Sequence, residues 1–200
     1  MCAVVVALGL ALAGAGCADD GRALAEPRPW QTTTTRPSPP TSAPPARSGI
    51  TGLTLTSPEF EPGEPAPLDA TCAGRNQHPA LAWTGTPDGT VELAITLSDQ
   101  TDPTEPVLVW LAAGIDPSVT SLAAGALPEG AVETTNDYGL TGWGAPCLES
   151  LGSGRRALQW RIHALTARSQ LTTGFPGNQA WDRVEAAAAD SASLLMTVTS

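Results

Sequence analysis

Lysine is absent from this chain of 200 residues, and all ten of its basic residues are arginine, against twenty acids. From Ile50 onward the imbalance widens to seventeen acids and six arginines. A basic face for nucleic acid is therefore missing, and docking on anionic lipid by charge alone is disfavoured. Histidine is nearly absent too, with two copies and no clustered carboxylates beside them, so a zinc site has no support and no metal or cofactor is expected. Aromatic residues make up only 4% of the chain, which makes any local concentration of them informative. The heavy use of Ala, Gly, Pro and Thr carries no functional reading.

What is present begins with "MCAVVVALGLALAGAGC", an apolar run closed by small residues. It has the length of a secretory h-region and is short for a membrane span. Gly14, Ala15 and Gly16 precede Cys17, and the arrangement resembles a bacterial lipobox, although Gly14 stands where such motifs most often carry Leu and no positive n-region precedes the run. The reading is a lipoprotein-type signal over 1–16, with Cys17 as the lipidated first residue of the mature chain. The product would be exported and anchored in a membrane, facing outside; simple secretion is the alternative. Of four cysteines, Cys2 would leave with the signal and Cys17 would carry lipid. Cys72 and Cys147 then remain in an oxidising compartment, where a disulfide between them is expected.

Residues 17–49 are rich in Pro, Thr and Ser and almost free of aliphatic side chains, so they cannot bury enough apolar surface to offset their ordering entropy. They read as a disordered, extended stalk. Residues 50–200 form one domain of about 150 residues, an ordinary size for a single core. Within it, "VELAITLS" and "RALQWRIHAL" alternate apolar and polar residues as half-buried strands do, with Glu92, Thr96, Ser98 and His163 on the polar faces. "PVLVWLAAGI" is apolar throughout, as in a strand covered on both faces. "LTLTS" and the C-terminal "LLMTVTS" add shorter strands. Only "QAWDRVEAAAAD", over 179–190, has helical character. The fold class is mainly β, a sandwich of antiparallel sheets with one short C-terminal helix.

The loops carry a family pattern. "TSPEF" (56–60), "ATCAGRNQHPALAW" (70–83), "LAITLSDQTDP" (93–103), "VLVWLAAGI" (107–115), "LPEGA" (127–131) and "NDYGLTGWGAPC" (136–147) stand in an order and spacing that resemble the phosphatidylethanolamine-binding protein family, in its bacterial Raf-kinase-inhibitor-like branch. The resemblance implies a two-sheet sandwich with a small pocket at one end for a phosphorylated or anionic head group. Asp99, Pro103, Trp110, Trp143, Gly144 and Pro146 fall on the family's pocket motifs. Three departures bear on chemistry: Val109 stands where the pocket His would be, Ala157 replaces a Tyr, and Arg155 replaces a second His. Val and Ala donate no hydrogen bond to a phosphoryl oxygen, whereas the Arg155 guanidinium would offer a fixed fork of donors. In the family's Asp-rich loop Gln100 replaces the Pro and Thr101 the second Asp, unless Asp102 shifts to fill in, and Arg156 keeps the family's Arg.

Three functions follow. The first is a non-catalytic binding module whose ligand is a small anionic or phospholipid head group. The second is a protein-interaction module, such as a protease inhibitor. The third is a hydrolase, for which Ser153 in "GSG" lacks the usual Gly-x-Ser-x-Gly frame and a placed His. His78 reads as a surface or loop-bracing residue. Asp99 and Asp102 read as solvated turn acids rather than an acid–base pair. Asn136 and Asp137 are suited to bracing their own turn.

Overall fold

The fold is seen in a computed structural model in which residues 52–144 and 154–199 are described. The signal segment 1–16, Cys17, the stalk 17–49, Pro146, Cys147 and Ser153 lie outside the described residues.

Alternation sets the strands. Strand β1 (Thr54–Thr56), β2 (Leu81–Thr84) and β5 (Ser121–Leu122) form a small sheet in the order β1-β2-β5. Strands β3 (Glu92–Asp99), β4 (Val107–Ile115), β6 (Val132–Glu133), β7 (Arg155–Leu165) and β8 (Ala188–Thr199) form a large one, ordered β6-β4-β3-β7-β8. All strand pairs are antiparallel. Leu55, Leu81, Trp83 and Leu122 of the small sheet pack against Leu93, Ile95, Leu97, Trp160 and Ile162 of the large one, and this is the main core. Each such side chain, fully buried, contributes about 1.5–3 kcal/mol.

Helix α1 (Gly177–Ala187) covers the other face of the large sheet, where Ala180 and Val184 meet Ala94, Leu108, Leu111 and Leu165. This second layer corrects the expectation for β3. The strand is buried at every position, because its polar face lies beneath the helix and the loop before it. Glu92 there accepts hydrogen bonds from Ser169 Oγ (2.5 Å), Gly114 N (3.1 Å) and Ser169 N (3.2 Å). His163 is likewise buried rather than solvated, with Nε2 3.1 Å from Thr96 Oγ1.

The C-terminus departs from expectation as well. The helix starts two residues before the predicted segment and stops at Ala187, and Ala188–Thr199 is strand throughout. Ala-rich sequence favours helix only weakly, and pairing along the whole of β7 outweighs it. The outer edge of β8 is partly covered, since Gly63 N and Ala66 N donate to Leu195 O and Thr197 O and Thr197 N donates to Glu64 O.

Candidate functional site

Two bulges shape β4. Across the steps Leu93–Ile95 and Leu97–Ser98 of β3, β4 carries one extra residue, and the second extra residue is Val109. A bulge re-aims the side chains beside it. Consecutive residues Val109 and Trp110 therefore both enter the main core, although strand alternation would separate them. The position that resembles the family's pocket His is filled by aliphatic packing.

The turn after β6 is fastened to this bulge. Asn136 is buried, its Nδ2 donates to Val109 O (2.9 Å), and its Oδ1 accepts from Leu140 N (2.9 Å) and Tyr138 N (3.0 Å). Asp137 Oδ2 accepts from Leu108 N at 2.7 Å. The Asn-Asp pair thus braces its own turn and locks it to β4. Gly144 follows in close contact, since a Cβ there would lie 3.0 Å from Asn136 Nδ2 and from Leu140 Cδ1. Only a glycine fits without displacing both.

Aromatic side chains collect beside the turn. Trp143 stacks on Trp160 with ring centroids 5.7 Å apart and planes 3° apart, and it meets Trp110 edge-on at 5.9 Å. Trp110 Nε1 donates to Glu133 Oε1 at 2.6 Å. His78, expected near the surface, is buried in this cluster 5.2 Å from Trp110. Burial pushes its pKa below the ordinary value, against the pull of the Pro79 carbonyl and Glu133. The His78 ring therefore acts as a neutral packing element. The indole N–H groups of Trp143 and Trp160 are buried without a hydrogen-bond partner among the described residues.

The polar part of the site is at the end of β3. Asp99 is buried, with Oδ2 2.9 Å from Arg156 Nη1 and Oδ1 accepting from Thr101 N at 2.8 Å. Arg155, expected beside Asp99, is exposed and among the described residues reaches only Gly63 O, at 3.5 Å. Neighbours on a strand point to opposite faces, so the register that brings Arg156 onto Asp99 turns Arg155 away. Asp99 is correspondingly no solvated turn acid. Asp102, by contrast, is exposed and accepts from Thr104 Oγ1 (2.6 Å) and N (2.9 Å), so it caps its own turn instead of joining Asp99. These bonds hold its carboxyl below the ordinary range. Pro103 lies in the same exposed loop.

Tyr138 completes the group and was not foreseen as a site residue. Tyr138 as a whole residue is 40% exposed. Its pKa is raised, first by burial and then by the negative charge of Asp99, while Arg156 acts in the opposite sense. Those influences place Tyr138 in the field of the Asp99–Arg156 pair. The legible signal was the aromatic residue inside a turn that Asn136 and Asp137 hold rigid. Asp99 and Arg156 thus form a polar pair whose charges Tyr138 feels, and the Arg156 side chain is 30% exposed. Such a set suits an acceptor-rich group.

Comparisons with known proteins agree with this architecture. The sequence model described as phosphatidylethanolamine-binding protein matches residues 56–199. A protein of Mycobacterium tuberculosis carrying the name lipoprotein LppC is 33% identical over 195 residues, covering 98% of this chain and 91% of its own. The crystal structure of Escherichia coli YbcL, titled a new member of the mammalian PEBP family, superposes with a TM-score of 0.68 at 26% identity over 74% of this chain and 98% of its own. The Chlamydia trachomatis homologue CT736 shares the fold with a TM-score of 0.66 at 22% identity, over 75% of this chain and 99% of its own. With sequence match and superposition both spanning the two-sheet domain, the chain belongs to the phosphatidylethanolamine-binding protein family.

Proposed function

We propose that the protein is a non-catalytic binding module, tethered outside a cell membrane by lipid on Cys17, that takes a small phosphorylated head group at the Asp99 end of the sandwich. The observation that carries the reading is the Arg156 guanidinium held 2.9 Å from the buried Asp99 carboxylate, in the field that Tyr138 also senses. Asp99 fixes one edge of the guanidinium, and the remaining N–H donors of Arg156 together with the Tyr138 hydroxyl serve phosphoryl oxygens. Arg156 is the retained family donor, and Tyr138 stands in for one of the donors lost at Val109 and Ala157. The name of the mycobacterial relative, a lipoprotein, supports the tether. Burial of both histidines, one among indoles and one beneath helix α1, supports a binding role over hydrolysis.

Thermal unfolding with O-phosphorylethanolamine tests the assignment. A hundredfold excess over the dissociation constant stabilises by about 2.7 kcal/mol. The rise in midpoint is expected in wild type and Arg155→Ala, and is expected to shrink in Arg156→Lys and Tyr138→Phe. An equal rise in all four proteins, or none in wild type, overturns the head-group site.

A further inference from the structure

In a domain where acids greatly outnumber arginines, each guanidinium has ample carboxylates to choose from. Arg75, Arg156 and Arg161 follow that expectation, pairing with Asp69, Asp99 and Glu185. Arg155, Arg168 and Arg183 do not, and none of the three has a carboxylate within 4.0 Å among the described residues. Arg168 reaches Asp116 only as a weak, distant charge, behind the Ser118 hydrogen bonds that chiefly hold that carboxyl down. Arg155 stands alone, whereas Arg168 and Arg183 line one cavity of about 470 Å³, together with Thr166, Ser169, Gln170 and Ala187.

The cavity walls are fixed before any ligand arrives. Ser169 is held by two hydrogen bonds to the buried Glu92 carboxylate, which pins the loop carrying Arg168. Thr166 N and Oγ1 both reach Ala187 O, at 3.0 and 3.4 Å, which closes the loop onto the end of helix α1. The Arg183 guanidinium lies over the Phe175 ring, 4.4 Å from its centroid. Compensation of the helix dipole does not account for Arg183, because the last turn of α1 holds no basic residue.

We propose that Arg168 and Arg183 form a second anion site, for a phosphate group, at the opposite end of the large sheet from Asp99. Glu92 pairs with Leu165 and Asp99 with Leu158, so the two ends of β3 are separated by its eight-residue length. At about 3.3 Å per residue that is roughly 23 Å, too far for one small ligand to touch both sites. Two guanidinium forks, one braced on an aromatic ring and the other on a pinned loop, match the several acceptor oxygens of a phosphate. The phosphate belongs either to a soluble monoester or to a lipid head group.

The unlipidated full chain (Cys17→Ser) titrated with sodium phosphate, against sodium chloride at equal ionic strength, tests this by site-resolved NMR. Saturable shifts are expected at Arg168, Ser169 and the Arg183 side chain with phosphate alone. Arg168→Gln and Arg183→Gln should each weaken that binding by about tenfold, the loss of one charge-assisted contact. Arg156→Lys should leave it unchanged, so failure here is separable from failure at the Tyr138 end. Co-sedimentation with phosphatidylglycerol but not phosphatidylcholine vesicles, lost in the same two variants, identifies a lipid source; phosphate binding without co-sedimentation identifies a soluble one. Absence of saturable shifts at this end, or unchanged affinity in both folded variants, overturns the proposal. Unaltered indole resonances of Trp110, Trp143 and Trp160 report that the variants are folded.

Discussion

His163 shows what one buried residue imposes on the whole domain. Its ring is fully buried on β7, facing Thr96 across the sheet, with Glu185 of helix α1 4.0 Å from Nδ1 and Arg161 on its own strand. Burial drives its pKa down to about 4; Glu185 opposes the fall and Arg161 adds to it. An exposed imidazole takes up its proton near pH 6.5. Between roughly pH 6.5 and 4 the unfolded chain therefore binds more protons than the folded one, and stability drops as pH falls through that window. The full shift corresponds to a loss of up to about 3 kcal/mol, at about 1.4 per pKa unit. His78, also lowered by burial, adds a contribution of the same sign. Urea unfolding at pH 7 and pH 4.5 should show this loss in wild type and a visibly smaller one in His163→Gln, which cannot charge. Identical pH slopes in the two proteins would contradict the assignment. The site teaches a related lesson at residue scale. The motifs marked Asp99, Trp110, Trp143 and Arg156, but that Arg156 and not Arg155 meets Asp99 depends on the phase of β7 against β3, which no motif shows. Tyr138 matters only through neighbours that the fold supplies.

At the scale of elements, the strands with strong period-two or uniformly apolar pattern were readable, and their covering was not. The alternation in β3 is real, yet Glu92, Thr96 and Ser98 are buried. Their partners explain why no local pattern reveals it, since Glu92 bonds Ser169 across 77 positions of sequence and Thr96 bonds His163 across 67. Periodicity reports chemistry, and only tertiary contact decides whether a polar face meets water or a helix. The seating of α1 depends on Gly177 at its first position. A Cβ there would overlap Thr135 O and come within 2.9 Å of Leu108 Cδ2. Helix propensity alone favours Ala over Gly by about 1 kcal/mol. Gly177→Ala should nonetheless destabilise, by about 1–3 kcal/mol, because overpacking forces the helix off the turn that carries Tyr138. Gly52→Ala is the control, as nothing lies within 4 Å of its added methyl. A Gly177→Ala protein as stable as the control in denaturant titration would mean that the helix shifts at no cost.

At the scale of the whole molecule, the proposed export and tether would depend on cysteines placed far apart in the chain. Cys72 is disulfide-bonded. Cys147, the expected partner, follows Trp143 and Gly144 of the site turn by three residues at the nearest. A bridge between them would tie that turn to the segment ahead of β2. Closing a loop of roughly 75 residues restricts the unfolded chain by about 4 kcal/mol in the chain-entropy model, less any strain. Lipid on Cys17, as proposed, would restrict the protein differently, by anchoring the chain to a membrane. The two modifications make opposite demands on cysteine, one needing a single thioether at the mature N-terminus and the other an even pair beyond it. If Cys2 leaves with the proposed signal, three cysteines satisfy both only if Cys17 is the odd one. Mass spectrometry of the membrane-extracted protein without reduction reads this directly: the mature chain should start at an acylated Cys17, show no alkylatable thiol, and yield a linked Cys72–Cys147 peptide pair. A free thiol at Cys72, a Cys17–Cys72 link, or an N-terminus elsewhere than Cys17 would break the scheme, and each would do so at an identifiable cysteine.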